Sequence, residues 1–380
     1  MAPDLLIVGA GPVGLSLALA LKDSGLAIAL ADARPPQAAS LDPRALALAH
    51  GTRLTLERLG VWGRFPATPI TTIHVSQQGG LGRTRLQAAD YGLPALGYVA
   101  SAGELAQALE AAVRAAGLPI LAESPVTALD PQGARITANL GGATPRTLEA
   151  RLVACAEGGV QEGDRDVVTR DYGQTAAITL ATPAAPHQGT AWERFTPQGP
   201  LALLPFGKRY AVVHTATPAE AERLKALPAG DYRAELESRF GGRLRLTEVD
   251  PLLTYPLALR YRRQPVGPRT VWLGNAAQTL HPVAGQGFNL ALRDVFALAR
   301  CLLDRPGDPG APALLARYGR HRQLDRRGTI GFTDGLVRLF SNDLAPLRHA
   351  RGAGLLALDL FPPLRHLVAK RMMFGARAWP

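Results

Sequence analysis

The chain has 380 residues, 47% of them apolar, which suits two or three globular domains sharing a core and excludes a disordered polymer. Its two cysteines, Cys155 and Cys301, make neither a disulfide framework nor a metal-ligand cluster and suit a reducing compartment. The formal net charge of +11 is uneven: residues 305–380 hold 13 Lys and Arg against 5 Asp and Glu, which suggests a surface that meets something anionic, although a general bias toward Arg would give the same excess.

The opening Met-Ala-Pro-Asp lacks a basic region, so no signal peptide is expected. The apolar run from Leu5 to Leu21 is broken by Gly9, Gly11, Pro12 and Gly14 and makes a poor membrane span. It reads instead as a strand ending at Val8, the loop Gly9-Ala10-Gly11-Pro12-Val13-Gly14, and an apolar helix to Leu21. A second strand, Ala27 to Ala31, ends in Asp32. That is the dinucleotide fingerprint in context: glycines allow a tight turn and close approach to a pyrophosphate, and the acid binds a ribose hydroxyl.

Asp42-Pro43-Arg44 predicts a helix start, with Asp42 as N-cap and Pro43 in the first turn. Arg44 either covers apolar surface or stands beside the pyrophosphate. Ile70 to Val75 alternates like a strand, and Gly79-Gly80-Leu81-Gly82 is a turn. A helix over 103–116 buries Leu105, Leu109, Ala112 and Val113, with Gln107 either solvent-facing or within reach of a cofactor. Strands follow over 120–155 and reach Glu157-Gly158-Gly159. Residues 165–265 alternate apolar and polar around one helix, Asp231 to Phe240, and predict an antiparallel sheet.

The stretch Thr270 to Leu302 organises the rest. A short strand runs into Gly274-Asn275, then His281-Pro282, then Gly285-Gln286-Gly287-Phe288-Asn289, and a helix whose apolar face is Phe288, Leu292, Val295, Ala299 and Leu302. A helix N-terminus carries roughly half a positive charge and suits an electron-rich group such as the N1/C2=O edge of a reduced flavin. The tail from Pro312 is helical, with expected breaks at Pro346, Gly352-Ala353-Gly354 and Pro362-Pro363. There is no second GxGxxG (Gly158-Gly159-Val160-Gln161-Glu162-Gly163 has the wrong spacing), so a nicotinamide donor would bind transiently.

The fingerprint, the Arg44 segment and the 273–294 stretch together resemble the class A flavoprotein monooxygenases, most of all the branch that hydroxylates 2-polyprenyl-6-methoxyphenol in ubiquinone biosynthesis. Ile70 to Ser76, Glu193-Arg194-Phe195-Thr196 with Gly199 to Ala202, Thr329 to Asp334, and Leu339 to Pro346 extend the likeness over nearly the whole chain. The resemblance implies extended FAD, with Gly9, Ala10, Gly11 and Gly14 at the pyrophosphate, Asp32 on the adenosine ribose and Arg44 along the cofactor. Asn275 would meet the ribityl chain, and the segment Pro282 to Asn289, with Gly285, Gln286, Gly287 and Asn289, the isoalloxazine. It also implies NAD(P)H or a separate reductase as electron donor, O2 as co-substrate, and hydroxylation of an electron-rich phenol through a C4a-hydroperoxyflavin. No catalytic side chain is assigned; His281 is a candidate for proton handling or for a supporting hydrogen bond. Asn275 stands where most members have Asp, and Glu157 where they have Asp followed by Ser, which bears on nicotinamide and FAD contacts there.

The expected fold is α/β: a Rossmann-like FAD-binding domain from 1–70, 99–160 and 267–305, a β-rich substrate domain from 71–98 and 161–266, and a helical C-terminal region over 306–380. The expected partners are a polyprenyl phenol, a ubiquinone-biosynthesis complex and an anionic membrane surface, with no nucleic acid. The expected place is the cytoplasm, peripheral on the inner membrane. Leu355, Leu356, Leu358, Leu360 and Phe361, with Arg351, Arg365, Lys370 and Arg371, are candidates for that surface. Two alternatives stay open: an FAD oxidoreductase on another apolar substrate, such as a prenyl reductase or epoxidase, and an idle flavoprotein scaffold.

Overall fold

The computed structural model describes residues 2–375 apart from 81, 161–163, 305–306 and 341–344. Leu81, part of the 158–163 segment and part of the 339–346 run therefore lie outside the described residues. The first sheet runs β19 (Val266–Gly267), β20 (Thr270–Trp272), β12 (Leu152–Cys155), β1 (Leu5–Val8), β2 (Ile28–Ala31), β8 (Ile120–Leu121). From β20 to β8 it is parallel, and its strands are continuous apolar runs because helices cover its faces. The chain leaves β1 for β2 on one side and later returns to β12 on the other, so a crevice opens at the carboxyl end of β1.

Around this sheet lie α1 (Pro12–Ala20), α3 (Ala102–Ala115) and α6 (Gln286–Leu303). The first has Pro at its start and is apolar all round, hence buried. In α3 the Ser101 hydroxyl accepts from the Glu104 N–H at 3.3 Å and caps the helix start. Leu105, Leu109 and Val113 are buried as expected, while Gln107 points to solvent.

Two small antiparallel sheets flank this core: β3 (Ala45–Ala49), β7 (Gly97–Ser101) and β4 (Ala67–Ile70) in one, and β9 (Val126–Gln132), β10 (Arg135–Leu140) and β11 (Arg146–Ala150) in the other. The helix expected after Asp42 is absent. Asp42 folds its carboxylate onto the Arg44 N–H instead, and the next residues pair as β3 along β7 before α2 (His50–Arg58) begins. Ile70 to Val75 is likewise split between β4 and β5 (Thr72–Gln77), which belong to different sheets.

The large sheet runs β21 (Gln278–Thr279), β18 (Leu253–Arg262), β13 (Val167–Pro183), β16 (Arg209–Ala216), β15 (Gly199–Phe206), β14 (Thr190–Thr196), β5, β6 (Arg83–Gln87), with β17 (Leu246–Val249) beside β13. Two helices, α4 (Pro218–Ala226) and α5 (Ala229–Arg239), cover one face where a single helix was expected; Thr217 caps the first, whose Pro218 is a helix-start signal, and Pro228 opens the second. Their side of the sheet is a closed core of Ala177, Leu201, Leu203, Val212 and Trp192 against Leu224, Leu236 and Phe240.

The tail forms α7 (Pro312–Phe340), α8 (Ala345–Leu360) and α9 (Pro362–Phe374). Pro346 and Pro362 stand in the first turns of α8 and α9, where breaks were expected, but Gly352-Ala353-Gly354 does not break α8. Gly352 faces Gly82, where a Cβ would come within 2.2 Å of the Gly352 carbonyl oxygen, so glycine here permits backbone contact.

Candidate active site

The fingerprint glycines divide by role. Gly9 has φ +105°, and a Cβ there would stand 2.7 Å from the Ala156 carbonyl oxygen. At Gly14 a Cβ would lie 2.0 Å from the Gly9 oxygen, so this residue locks α1 onto the strand. Gly11 is different: it is the N-cap of α1 without a side-chain cap, and among the described residues a Cβ there would meet only the Arg34 guanidinium at 3.8 Å. Gly11 therefore opens on the crevice, beside a helix N-terminus that favours phosphate.

Asp32 closes that crevice. Its Oδ2 accepts from the Ala10 N–H at 2.6 Å, and the Arg34 guanidinium and N–H reach its two oxygens at 2.8–2.9 Å. Burial opposes the charge, but Arg34 and the backbone donors outweigh it and hold the carboxyl below its ordinary range. Arg34 was not foreseen; the Asp-x-Arg spacing at a strand end was its only signal. Arg44 forms a bidentate pair with Asp42, its Nε and NH2 at 2.6–3.1 Å, half-exposed at the same mouth, and Asp42 also feels the Arg34 charge. Glu157 follows β12; partial burial of its carboxyl and repulsion from Asp32 raise it, so it borders the Asp32 end of the crevice.

At the other end the 275–289 segment is bent by left-handed residues: Gly274 at φ +57°, Ala284 at +60° and Gly285 at +59°. For Ala284 that conformation costs roughly 1–2 kcal/mol, and Asn289 helps to hold it. The buried Asn289 amide donates to the Gly285 and Ala47 carbonyls at 2.7 and 2.8 Å, and its oxygen accepts from the Ala49 N–H and Thr52 hydroxyl. Gln286, also buried, donates to Ala284 at 3.2 Å. These two side chains are framework. Asn275 and Pro282 are exposed, and a Cβ on Gly287 would meet nothing within 4 Å, so these positions face open space at the start of α6.

His281 is buried; its Nδ1 accepts from the Val283 N–H at 3.1 Å, which places its proton on Nε2, and Nε2 has no partner. Burial pushes this imidazole down to about 4, so it is neutral at pH 7.

Opposite this loop lies the second face of the large sheet. Val75, Glu193, Ala202, Val213, Ile178 and Leu253 form one transverse row across β5, β14, β15, β16, β13 and β18. Leu253 is exposed and the others half-buried, whereas Ala177, Leu201, Leu203 and Val212 on the far face are covered. The row is a largely apolar floor, open toward Leu253 and bordered at its β5 end, where Val75 packs on the cluster of Phe195, Val337, Phe340 and Leu355 that also holds Val283 of the 275–289 segment.

Behind the loop is a buried polar cluster that sequence reasoning missed. Asp294 of α6 accepts from Arg322 at 2.6 Å and Gln278 at 2.8 Å; Asp325 pairs with Arg322 and Arg293; Arg326 donates to Gln278 and to the Arg262 and Ala277 carbonyls. It ties α7 to α6, to the end of β18 and to β21 within the loop.

A family described as an FAD binding domain matches residues 3–330. The chain belongs to that family. It is similar to ubiquinone hydroxylase UbiL of Rhodospirillum rubrum, 38% identical over 99% of this chain and 91% of that one. It is also similar to 3-demethoxyubiquinol 3-hydroxylase of Escherichia coli, 30% identical over 94% of each. In fold it matches p-nitrophenol 4-monooxygenase PnpA of Pseudomonas putida DLL-E4, with a TM-score of 0.77 over 99% of both chains at 18% identity. The chain is thus an FAD-dependent monooxygenase.

The residues present fit FAD: an open Gly11 beside a helix start, an acid at the end of β2, and unfilled space over Gly287 are the provisions an extended dinucleotide needs. Two predicted contacts, Gln286 and Asn289, would act by shaping the loop, and Gly14 by packing. No group of His, Cys, Asp and Glu among the described residues is arranged to hold a metal ion.

Proposed function

We propose that this monooxygenase hydroxylates the ring of a polyprenylated methoxyphenol in ubiquinone biosynthesis. The observation that carries the reading is the half-open apolar floor facing the 275–289 loop: a flat, electron-rich ring with a hydrocarbon chain fits a surface of Val75, Ala202, Val213 and Ile178. The named hydroxylation of ubiquinone precursors in the relatives supports it. FAD, when bound, would supply the redox chemistry with O2, drawing electrons from NAD(P)H or a separate reductase. The chain's own part is to bind the pyrophosphate at Gly11, set the ring plane through Ala284 and Gly285, stabilise charge on the flavin edge with the α6 N-terminus, and exclude water with Phe195 and Val283. Oxygen consumption coupled to one-oxygen addition on a prenylated methoxyphenol is the expected result. A product altered only in its prenyl double bonds would favour the reductase or epoxidase reading.

We further infer that the enzyme meets its lipid-dissolved substrate, directly or within a biosynthetic complex, at an anionic inner-membrane surface reached from the cytoplasm. Among the described residues no helix is long and apolar enough to cross a membrane. The α8–α9 corner supports peripheral contact: Leu356, Leu360, Phe361 and Leu367 are exposed, Leu360 at 72%. Two candidates drop out. Leu355 is in a buried cluster, and Arg351 is buried on the Phe340 ring with its NH1 donating to the Phe340 carbonyl. Flotation with anionic but not neutral liposomes, weakening with salt, is expected; equal failure on both would return these side chains to a solvated rim.

A further inference from the structure

We propose that Glu193 is a catalytic residue of this site, a carboxylate on the substrate floor that accepts the proton of the phenol. This rests on the phenol reading above and adds the group that activates the ring.

Three observations place it. On β14, side chains alternate: Trp192 points into the closed core beneath α5, so Ala191, Glu193 and Phe195 point the other way. Ala191 packs in the cluster that includes Ala45 of β3, and Phe195 packs on Val283 of the loop, so Glu193 lies between β3 and that loop. A Cβ on Gly285 would touch Ala47 of the same β3 at 2.8 Å, so the two boundaries converge where the ring of a bound flavin would lie.

The second observation is chemical isolation. In the row Val75–Glu193–Ala202–Val213–Ile178–Leu253, Glu193 is the single ionisable side chain. Its Oε1 is buried without a hydrogen-bond partner, which is costly in a folded protein unless a ligand supplies one. The third is its acidity. Burial alone pushes its carboxyl up to about 7, and no charged group on β5, β15, the loop or α7 adds to the shift. A base of that strength can accept the phenolic proton as the ring is attacked and the oxygen grows more acidic, and can release it again near neutral pH.

The step balances. The phenolic O–H bond breaks, an O–H bond forms on a Glu193 carboxylate oxygen, and the electron pair remains on the phenolic oxygen, enriching the ring positions that are attacked. Reverse transfer to that oxygen restores the carboxylate. His281 cannot replace it as a nearby base, because its Nδ1 is engaged by Val283 and its Nε2 carries the proton.

The test uses the FAD-loaded enzyme and 2-methoxy-6-geranylphenol, with product formation followed from pH 5.5 to 9. Wild type is expected to lose kcat on an acid limb as Glu193 protonates near neutral pH. Glu193→Gln, with unchanged FAD content and melting temperature, should bind the probe within about threefold of wild type, with kcat reduced at least tenfold, KM little changed and the acid limb gone. Glu193→Asp keeps an acceptor set back by one methylene and should retain part of the rate and the acid limb. A Glu193→Gln whose kcat and pH profile match wild type would overturn the role while leaving ring hydroxylation standing. Loss of FAD from both variants would make Glu193 structural and overturn it as well. A wild type that binds no prenylated phenol would remove the phenol reading and this proposal together.

Discussion

Removing Asp294 should be among the most destabilising single changes in the chain. The carboxylate is 1% exposed, and its partner Arg322 and the second acid on that arginine, Asp325, are 6% and 2% exposed. In the native cluster Asp294 and Asp325 balance Arg293 and Arg322, while Arg326 is neutralised in effect by Gln278 and two carbonyl oxygens. Burial works against the Arg322 charge, but Asp294 and Asp325 outweigh it and hold that charge firmly. Asp294→Leu leaves two buried guanidinium groups on one carboxylate and strands the Gln278 amide. Breaking a buried pair this way costs about 3–5 kcal/mol; because Asp325 still stands 2.8 Å from Arg322, the expected loss is near the lower figure. Urea unfolding at one fixed FAD concentration measures it, since ligand binding itself shifts stability. Asp294→Leu combined with Arg322→Met restores the charge balance and should recover most of the loss. A cost below about 1 kcal/mol for the single variant, or no recovery in the double, would refute the reasoning, because 3 kcal/mol is a large part of the stability of a typical domain.

Asp32→Ala should weaken FAD by about 1–3 kcal/mol, the loss of hydrogen bonds from a charged acceptor, and Gly11→Leu should abolish loading by filling the open cradle; fluorescence titration reads both, and full occupancy in Gly11→Leu would displace the cofactor from this crevice. His281 and His214 are both lowered to about 4 by burial. Each folded-state value lies below the unfolded one near 6.5, so their contribution is whole above pH 6.5 and is lost as pH falls toward 4, by about 3 kcal/mol at most for each. Replacing His281 with Gln should flatten that acid limb in melting curves taken from pH 4 to 7; an unchanged slope would mean the imidazole is not buried neutral. Glu157→Asp draws the carboxylate back by about a bond length and should speed reduction by NADH or NADPH while reoxidation stays nearly constant; stopped-flow traces showing slower or equal reduction would mark Glu157 as suited to its donor as it stands.

What the sequence made legible was local. Strand, glycine turn, helix and Asp32 follow one another within 30 residues, and backbone geometry requires those glycines wherever they sit. The errors came where distant partners decided. Asp42-Pro43 carries a helix-start signal, yet β7 offers a full ladder of hydrogen bonds to the residues that follow, and pairing prevails over capping. Gly352 costs its helix about 1 kcal/mol against Ala, yet α8 runs through it, and its backbone is met by Gly82, where a Cβ would come within 2.2 Å of the Gly352 carbonyl oxygen, so the break expected there is a contact. The basic excess of the tail looked like a surface; Arg322, Arg326 and Arg351 turn inward, toward acids, carbonyls and a ring that lie up to 64 residues away. Periodicity alone cannot show an ion pair whose members sit on different elements.

The three carboxylates around the cleft show what the sequence could not have ranked. Asp32 ends a strand at the start of a helix, where backbone N–H groups and Arg34 converge on both of its oxygens, and it stays ionised well into acid. Glu157 occupies the equivalent end of β12, across β1 from β2 and beyond Asp32's donors, and the charge it feels is Asp32 itself, of the same sign. Glu193 has neither donor nor charge, only burial. The order of acidity follows from how many donors the backbone brings to each position, since a carboxylate that accepts several hydrogen bonds keeps its charge while one with none protonates as water is excluded. Unlike Asp32, Glu193 can exchange a proton near neutral pH without first giving up a structural bond. That is why the acid proposed for the cofactor and the acid proposed for the substrate stand on different sheets: a strand end facing a helix N-terminus fixes a charge, and the middle of an apolar sheet face leaves one free to move.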